Sequence, residues 1–231
     1  MRSTTVTAGL ACLLIGATTT GCSGSDTTDG LTAQQMLDDA NDTMSGLRSV
    51  TVEGVTKARK KGGDISSRVT TDLDSRCRSK VTWEAKGAVL EQIRLGETDY
   101  VRPNREYIEG WSGKGMDGAQ DTWIKTAVSD AEPGDGLSDC SRDFTSFGTA
   151  KKGEPTEVDE TPAIRLVVTD EEDKGGAFTF YVATEGKPYI LKVVYEGTDY
   201  STTTSYSAFD EPVDVQAPSE TTVIDSALID R

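Results

Sequence analysis

The sequence predicts an α+β fold, a curved antiparallel sheet preceded by one amphipathic helix. Three observations predict it. Apolar residues recur at helical spacing once, over 33–45. The apolar period then drops to two, before and again after an irregular stretch, and turns rich in Gly, Asp and Pro separate the segments at roughly ten-residue intervals. A sheet built from that many short strands has to curl, and its apolar face has to be covered.

The helix is marked at both ends. Thr32-Ala33-Gln34-Gln35 matches a capping box, in which the Thr hydroxyl accepts from an orphan amide and the Gln side chain reaches back. Met36, Leu37, Ala40, Met44 and Leu47 then share one face, and Gly46 supplies the stop. Val50 and Val52 open the first strand, and Lys60-Lys61-Gly62-Gly63 turns it. Ile65, Ser67, Val69, Thr71 and Leu73 alternate along the second, and Cys77, Ser79, Val81 and Trp83 along the third. After a turn at Gly87 comes a fourth, containing Val89, Glu91, Ile93 and Leu95. Gly96-Glu97-Thr98-Asp99 leads into Tyr100-Val101-Arg102.

Residues 103–153 are irregular, acidic and Gly-rich, with Trp123-Ile124 as a short strand or helical turn. Alternation returns at Ile164, Leu166 and Val168, then at Phe178, Phe180 and Val182. A Glu185–Pro188 turn precedes Leu191, Val193 and Tyr195. A Thr/Tyr-rich strand follows from Tyr200 to Tyr206, and Val213-Asp214-Val215 closes the pattern. On Glu91 the pattern is ambiguous. It lies between Val89 and Ile93 on an apolar stripe, where an unpaired carboxylate would cost several kcal/mol. The preferred reading turns Leu90 inward and Glu91 outward, with a bulge correcting the register.

The start of the chain has the layout of a bacterial export signal over residues 1–21: Met1-Arg2, the apolar VTAGLACLLIGA (Val6–Ala17), then small polar residues. The apolar stretch is shorter than the ~20 residues that span a bilayer. An ordinary secretory signal leaves Cys22 incidental. Gly21-Cys22 instead resembles a bacterial lipoprotein signal, although Thr19 stands where an aliphatic residue is usual. That resemblance implies a diacylated Cys22 as the mature N-terminus; the lack of apolar periodicity in SGSDTTDGL makes residues 22–31 a flexible tether, and the roughly 200 residues that follow, enough for one core, make 32–231 a single domain. The protein would then sit on the extracytoplasmic face of the cell membrane, held by its acyl chains.

Of four cysteines, Cys12 leaves with the signal and Cys22 carries the lipid, so Cys77 and Cys140 remain as a disulfide pair in an oxidising compartment. A two-cysteine metal site is the rival, but the chain has no histidine to complete one. Removal of the signal takes Arg2 and leaves 23 basic against 39 acidic residues, a net charge of −16. Such a surface repels nucleic acid and anionic headgroups.

The absence of histidine also excludes Ser-His-Asp and Cys-His nucleophile systems. Gly113, Gly115 and Gly118 spell a Gly-rich phosphate motif, but the flanks are not those of a βαβ unit. The acidic run 170–173 lacks EF-hand spacing and reads as a solvated turn. Neither an enzyme nor a cofactor site is expected.

Three stretches, LEQIRLGETDYVRP (Leu90–Pro103), GKPYILKVVYEG (Gly186–Gly197) and FDEPVDVQAPSE (Phe209–Glu220), follow a helix and a tether. In this order and rhythm the chain resembles the LppX/LprG lipoproteins, of the LolA/LolB type. The resemblance implies a half-barrel with the helix on its concave face, where a lipid or acylated molecule is held. The candidate pocket then joins Met36 and Met44 to Val81, Trp83, Ile93, Leu95, Phe180 and Leu191. The alternative is an anchored sensor or interaction domain with no cavity, meeting a protein partner through the acidic loop 103–153.

Overall fold

A computed structural model describes residues 30–60, 62–112, 119–131, 134–146, 148–169 and 175–226. The signal segment, Cys22, most of the tether, the glycines of GKGMDG and the acidic run 170–173 lie outside the described residues. Among those described, no helix is long and apolar enough to cross a membrane.

Helix α1 covers Ala33–Ser45. Its capping box is complete: Gln35 N donates to Thr32 Oγ1 at 3.2 Å and Thr32 N donates to Gln35 Oε1 at 2.9 Å. Twelve strands follow: β1 Val50–Ala58, β2 Ile65–Thr71, β3 Arg76–Trp83, β4 Ala88–Leu95, β5 Thr98–Pro103, β6 Trp123–Ala127, β7 Thr149–Val158, β8 Thr161–Thr169, β9 Ala177–Ala183, β10 Ile190–Glu196, β11 Tyr200–Ser207 and β12 Val223–Asp225. They make one large curved, unclosed sheet in the order β12-β6-β5-β4-β3-β2-β1-β11-β10-β9-β8-β7. Every pairing is antiparallel except the short β12–β6 pair. Two meanders, β2–β6 and β7–β11, are joined through β1, which pairs with β2 on one side and β11 on the other.

Directly opposed residues of paired strands share a face, so the registers sort the whole sheet. Val52, Val69, Ser79, Gln92, Leu166, Phe180 and Val182 all lie on the face that carries α1. There Met36, Leu37, Ala40 and Met44 meet Val50, Val52, Ile164, Leu166, Val168, Phe180, Val182 and Ile190 in the largest core cluster. Full burial of a Leu or Met side chain contributes about 1.5–3 kcal/mol, so this stripe holds the helix on the sheet.

Four expectations are corrected. The second strand ends at Thr71, not Leu73, because Asp72 Oδ1 accepts from the amides of Asp74, Ser75 and Arg76 and closes a tight turn, with Leu73 at φ 61°. Strand β7 was hidden by its polar sequence, TAKKGEPTEV, and begins inside the stretch read as irregular. Residues 213–215 are not a strand; Val213 and Val215 pack with Ile93, Leu95, Tyr100 and Trp123 on the face opposite α1, and Arg76 Nη2 donates to Val215 O at 3.0 Å. Leu90 points to the helix face and Glu91 away from it, as preferred, but β3 and β4 pair without a bulge. Glu91 is held by Arg102.

The helix face changes character toward β4 and β5. Arg94 donates to both carboxylate oxygens of Asp99, at 2.9 and 2.7 Å, and Gln92 Nε2 donates to Asp99 Oδ1 at 2.9 Å. Asp99 is fully buried and the Arg94 side chain is 11% exposed. Removing one partner of such a pair strands the other charge. Arg94→Met is therefore expected to cost about 3–5 kcal/mol in urea unfolding, with most of it recovered in Arg94→Met/Asp99→Leu.

Asp210 ties the chain after β11 to the α1–β1 link. Its Oδ1 accepts from Arg48 N at 2.8 Å, and its own amide donates to Ser49 O at 3.0 Å. That hydrogen bond from Arg48, with the charges of Lys187 and Arg48, holds its carboxyl below the ordinary carboxylate value. A lowered folded-state pKa stabilises the protein above the unfolded pKa, and the contribution is lost as pH falls through the folded value. Asp210→Asn should thus be less stable than the parent at pH 6, with the gap in urea midpoint closing only below the ordinary carboxylate range.

Candidate functional site

Residues 134–146 form a strap across the helix face. Tyr107 Oη donates to Asp135 O at 2.5 Å. Gln92 then clasps Ser138 in both directions, accepting from its amide at 2.7 Å and donating to its carbonyl at 3.2 Å. Cys140 is bonded to Cys77 of β3, across a separation of 63 residues, and Thr71 Oγ1 donates to Cys140 O at 2.6 Å. Phe144 meets Tyr206 edge-on, and Asn41 Nδ2 donates to Ser146 Oγ at 2.5 Å, which brings the strap to α1. In the chain-entropy account a disulfide closing a loop of this size contributes about 4 kcal/mol. Burial pushes the Tyr107 phenol up to about 12, with the Asp135 carboxylate adding to it, and burial also raises Tyr206.

Beside this roof, a cleft of about 370 Å³ opens between α1 and the end of β8–β9. Its floor is Met36, Ile164, Val182 and Ala183, each at most 4% exposed. Leu31 closes one end, and Thr184, Gly186 and Pro188 of the β9–β10 turn form the far wall. The near rim is Asp39, Asp42 and Thr43 of α1. Further along the same face, Phe178, Val193, Tyr195, Tyr200, Thr202 and Thr204 line an open trough of about 310 Å³. The opposite face has a polar hollow of about 370 Å³ at Glu91, Arg102 and Asn104, where the Arg102 guanidinium lies 4.8 Å from the Trp123 ring centroid.

The eight pocket residues expected from the sequence do not form one site. Met36, Met44 and Phe180 share the α1 core, and of these Met36 lines the cleft. Trp83 packs with Ala88, Leu90 and Tyr107 under the strap, and Val81 lies beside it on the same face. Ile93 and Leu95 are on the opposite face, because the unbroken β3–β4 register pairs Val81 with Leu90 rather than with either of them. Leu191 falls at the register shift between Ile190 and Lys192, where Ile190 takes the core position. Ile164 and Val182 were readable from alternation as inward-facing. Their meeting with Met36, across more than a hundred residues of chain, was not. The acidic stretch 103–153 is not a single loop: it holds a helical segment Arg105–Tyr107, a π turn Ile108–Ser112, β6, the strap and the start of β7.

No protein-family model matches the sequence, and no curated protein does. Among solved structures, the Mycobacterium tuberculosis lipoprotein LppX is similar with a TM-score of 0.53 and 16% identity, over 79% of this chain and 99% of that one. LprF from Mycobacterium bovis is similar with a TM-score of 0.53 and 13% identity, over 80% and 96%. The chain has the LppX-type fold. At these identities the likeness is one of architecture. A LolA superfamily protein from Nitrosomonas europaea is also found, at 13% identity and a TM-score of 0.33, over 83% and 96%.

Within the LppX-type sheet the strap depends on one close approach. Gly136 has φ +80°, and a Cβ there would lie 2.5 Å from the Trp83 ring. Gly136→Ala combines that clash with a left-handed backbone cost of about 1–2 kcal/mol. It should lower the melting temperature and speed amide exchange over 137–146, leaving β8–β10 protected.

Proposed function

We propose that this is a membrane-anchored extracytoplasmic lipoprotein that holds an acyl chain or similar apolar ligand between α1 and β8–β9, on the concave face of the sheet. The observation that carries the reading is the cleft itself. Its floor is apolar and nearly solvent-free, yet its mouth is open. Its volume falls near the lower end of the roughly 300–1,000 Å³ typical of small-molecule sites. Each methylene moved from water onto such a floor contributes about 0.8 kcal/mol, so a short run of chain is enough for binding without any directional contact.

Binding rather than catalysis is the role that fits these groups. Among the described residues, the side chains whose pKa values are displaced move away from neutrality: Tyr107, Tyr206, Lys60, Lys187 and Arg94 upward, Asp210 downward. General acid–base chemistry calls for the reverse. The anchoring half of the reading rests on Gly21-Cys22 and its export signal, and on the lipoprotein character stated for LppX.

Native mass spectrometry of the exported protein should show a non-covalent adduct that organic extraction removes. Thr184→Trp, which fills the mouth without touching the buried floor, should lose it. An unliganded mass that persists after incubation with membrane lipids would overturn the carrier reading.

A further inference from the structure

The cleft is apolar at its floor and negative at its rim. Asp39 and Asp42 are exposed on α1 at the mouth, and neither side-chain carboxylate has a hydrogen bond or ion pair among the described residues. Among the described residues, no lysine or arginine lines the cleft. The one cation of the facing turn, Lys187, is drawn aside: its Nζ is 3.7 Å from Asp210 and 5.7 Å from the Tyr189 ring centroid. Helix α1 carries Asp38, Asp39 and Asp42 and no basic residue at all.

An anionic headgroup entering here would meet two uncompensated carboxylates with no counter-charge. A cationic one would find two partners, plus the Thr43 and Thr184 hydroxyls as acceptors. Charge and apolar area thus select for the same molecule from opposite ends. We infer that the α1 cleft takes an amphiphile with a single apolar chain and a positively charged, amine-type head, and discriminates against carboxylate and phosphate heads. This rests on the apolar-ligand reading above and specifies the ligand's polar end.

The test uses the full chain in phosphatidylcholine nanodiscs and three photoactivatable probes of equal chain length: a hexadecyl amine, a hexadecanol and a hexadecanoic acid. Peptide mapping reads labelling at 31–43 and 182–188. Exposed charge pairs are individually weak, so the amine should exceed the alcohol at these peptides by roughly two- to thirtyfold, with the acid lowest. Asp39→Asn/Asp42→Asn should bring the three probes together without loss of alcohol labelling. Glu106→Gln/Glu109→Gln, which removes two exposed carboxylates outside the cleft, should leave the order intact. Equal labelling by all three probes overturns the headgroup inference and leaves the apolar site standing. So does a preference that Glu106→Gln/Glu109→Gln erases as fully, since the cause is then the net charge of −15. Labelling by none of the probes at these peptides overturns the apolar site and the inference together.

Discussion

The apolar stripe of α1 against β8–β10 is the contact on which the rest of the molecule depends. A twelve-stranded sheet that does not close leaves one face with valines, isoleucines and phenylalanines and no second sheet to bury them. One helix of thirteen residues cannot shield that whole face. Its four buried side chains are accordingly spent on the richest part, and the remainder must be dealt with by other means. The cleft arises at the margin of this coverage, where the helix has turned away and the strand ends still present apolar surface.

The remaining means are polar. Over β2–β5 the inward positions interleave Val69, Val81 and Leu90 with the polar Thr71, Ser79, Gln92, Arg94 and Asp99. Here a piece of irregular chain is fastened down by side-chain hydrogen bonds and a disulfide. Such a cover is specific in a way the helix is not: Gln92 reads both backbone atoms of Ser138, and no buried polar side-chain atom among the described residues lacks a partner. The two halves of one face thus use opposite chemistries. The half that accepts apolar contact is also the half where the cleft lies.

Much of this organisation was readable in the chain. The capping box at Thr32 and the Met36–Met44 stripe placed α1, and strict alternation placed β3, β8 and β9, whose large apolar side chains are buried mainly on one face. Cysteine count and the absence of histidine led to the Cys77–Cys140 bond. What escaped was set by distant partners. Ile93 and Leu95 looked inward-facing because the clearer apolar alternation of β4 runs through Val89, Ile93 and Leu95 on the face opposite α1, and only the return of Val213 and Val215 explains why. β7 has almost no apolar period since it is an edge strand with Lys, Glu and Pro, a composition that protects an edge from further pairing. Asp39 and Asp42 carry no signal of a site in the sequence; they border one only because the β9–β10 turn is set opposite them.

The seam between β1 and β11 has a consequence in time. Each meander closes through neighbouring hairpins, but β1 finds β11 only across the whole length of both, from Thr51 with Ser207 to Ala58 with Tyr200. Pairings of such sequence separation are slow, because loop-closure entropy has to be met before the contact returns anything. A chain emerging N-terminus first would therefore have its helix, and the second edge of its first strand, waiting until the later strands arrive. During that interval the stripe of Met36, Leu37 and Met44 is an amphipathic surface without its sheet, and a factor that shelters nascent apolar segments has its substrate there.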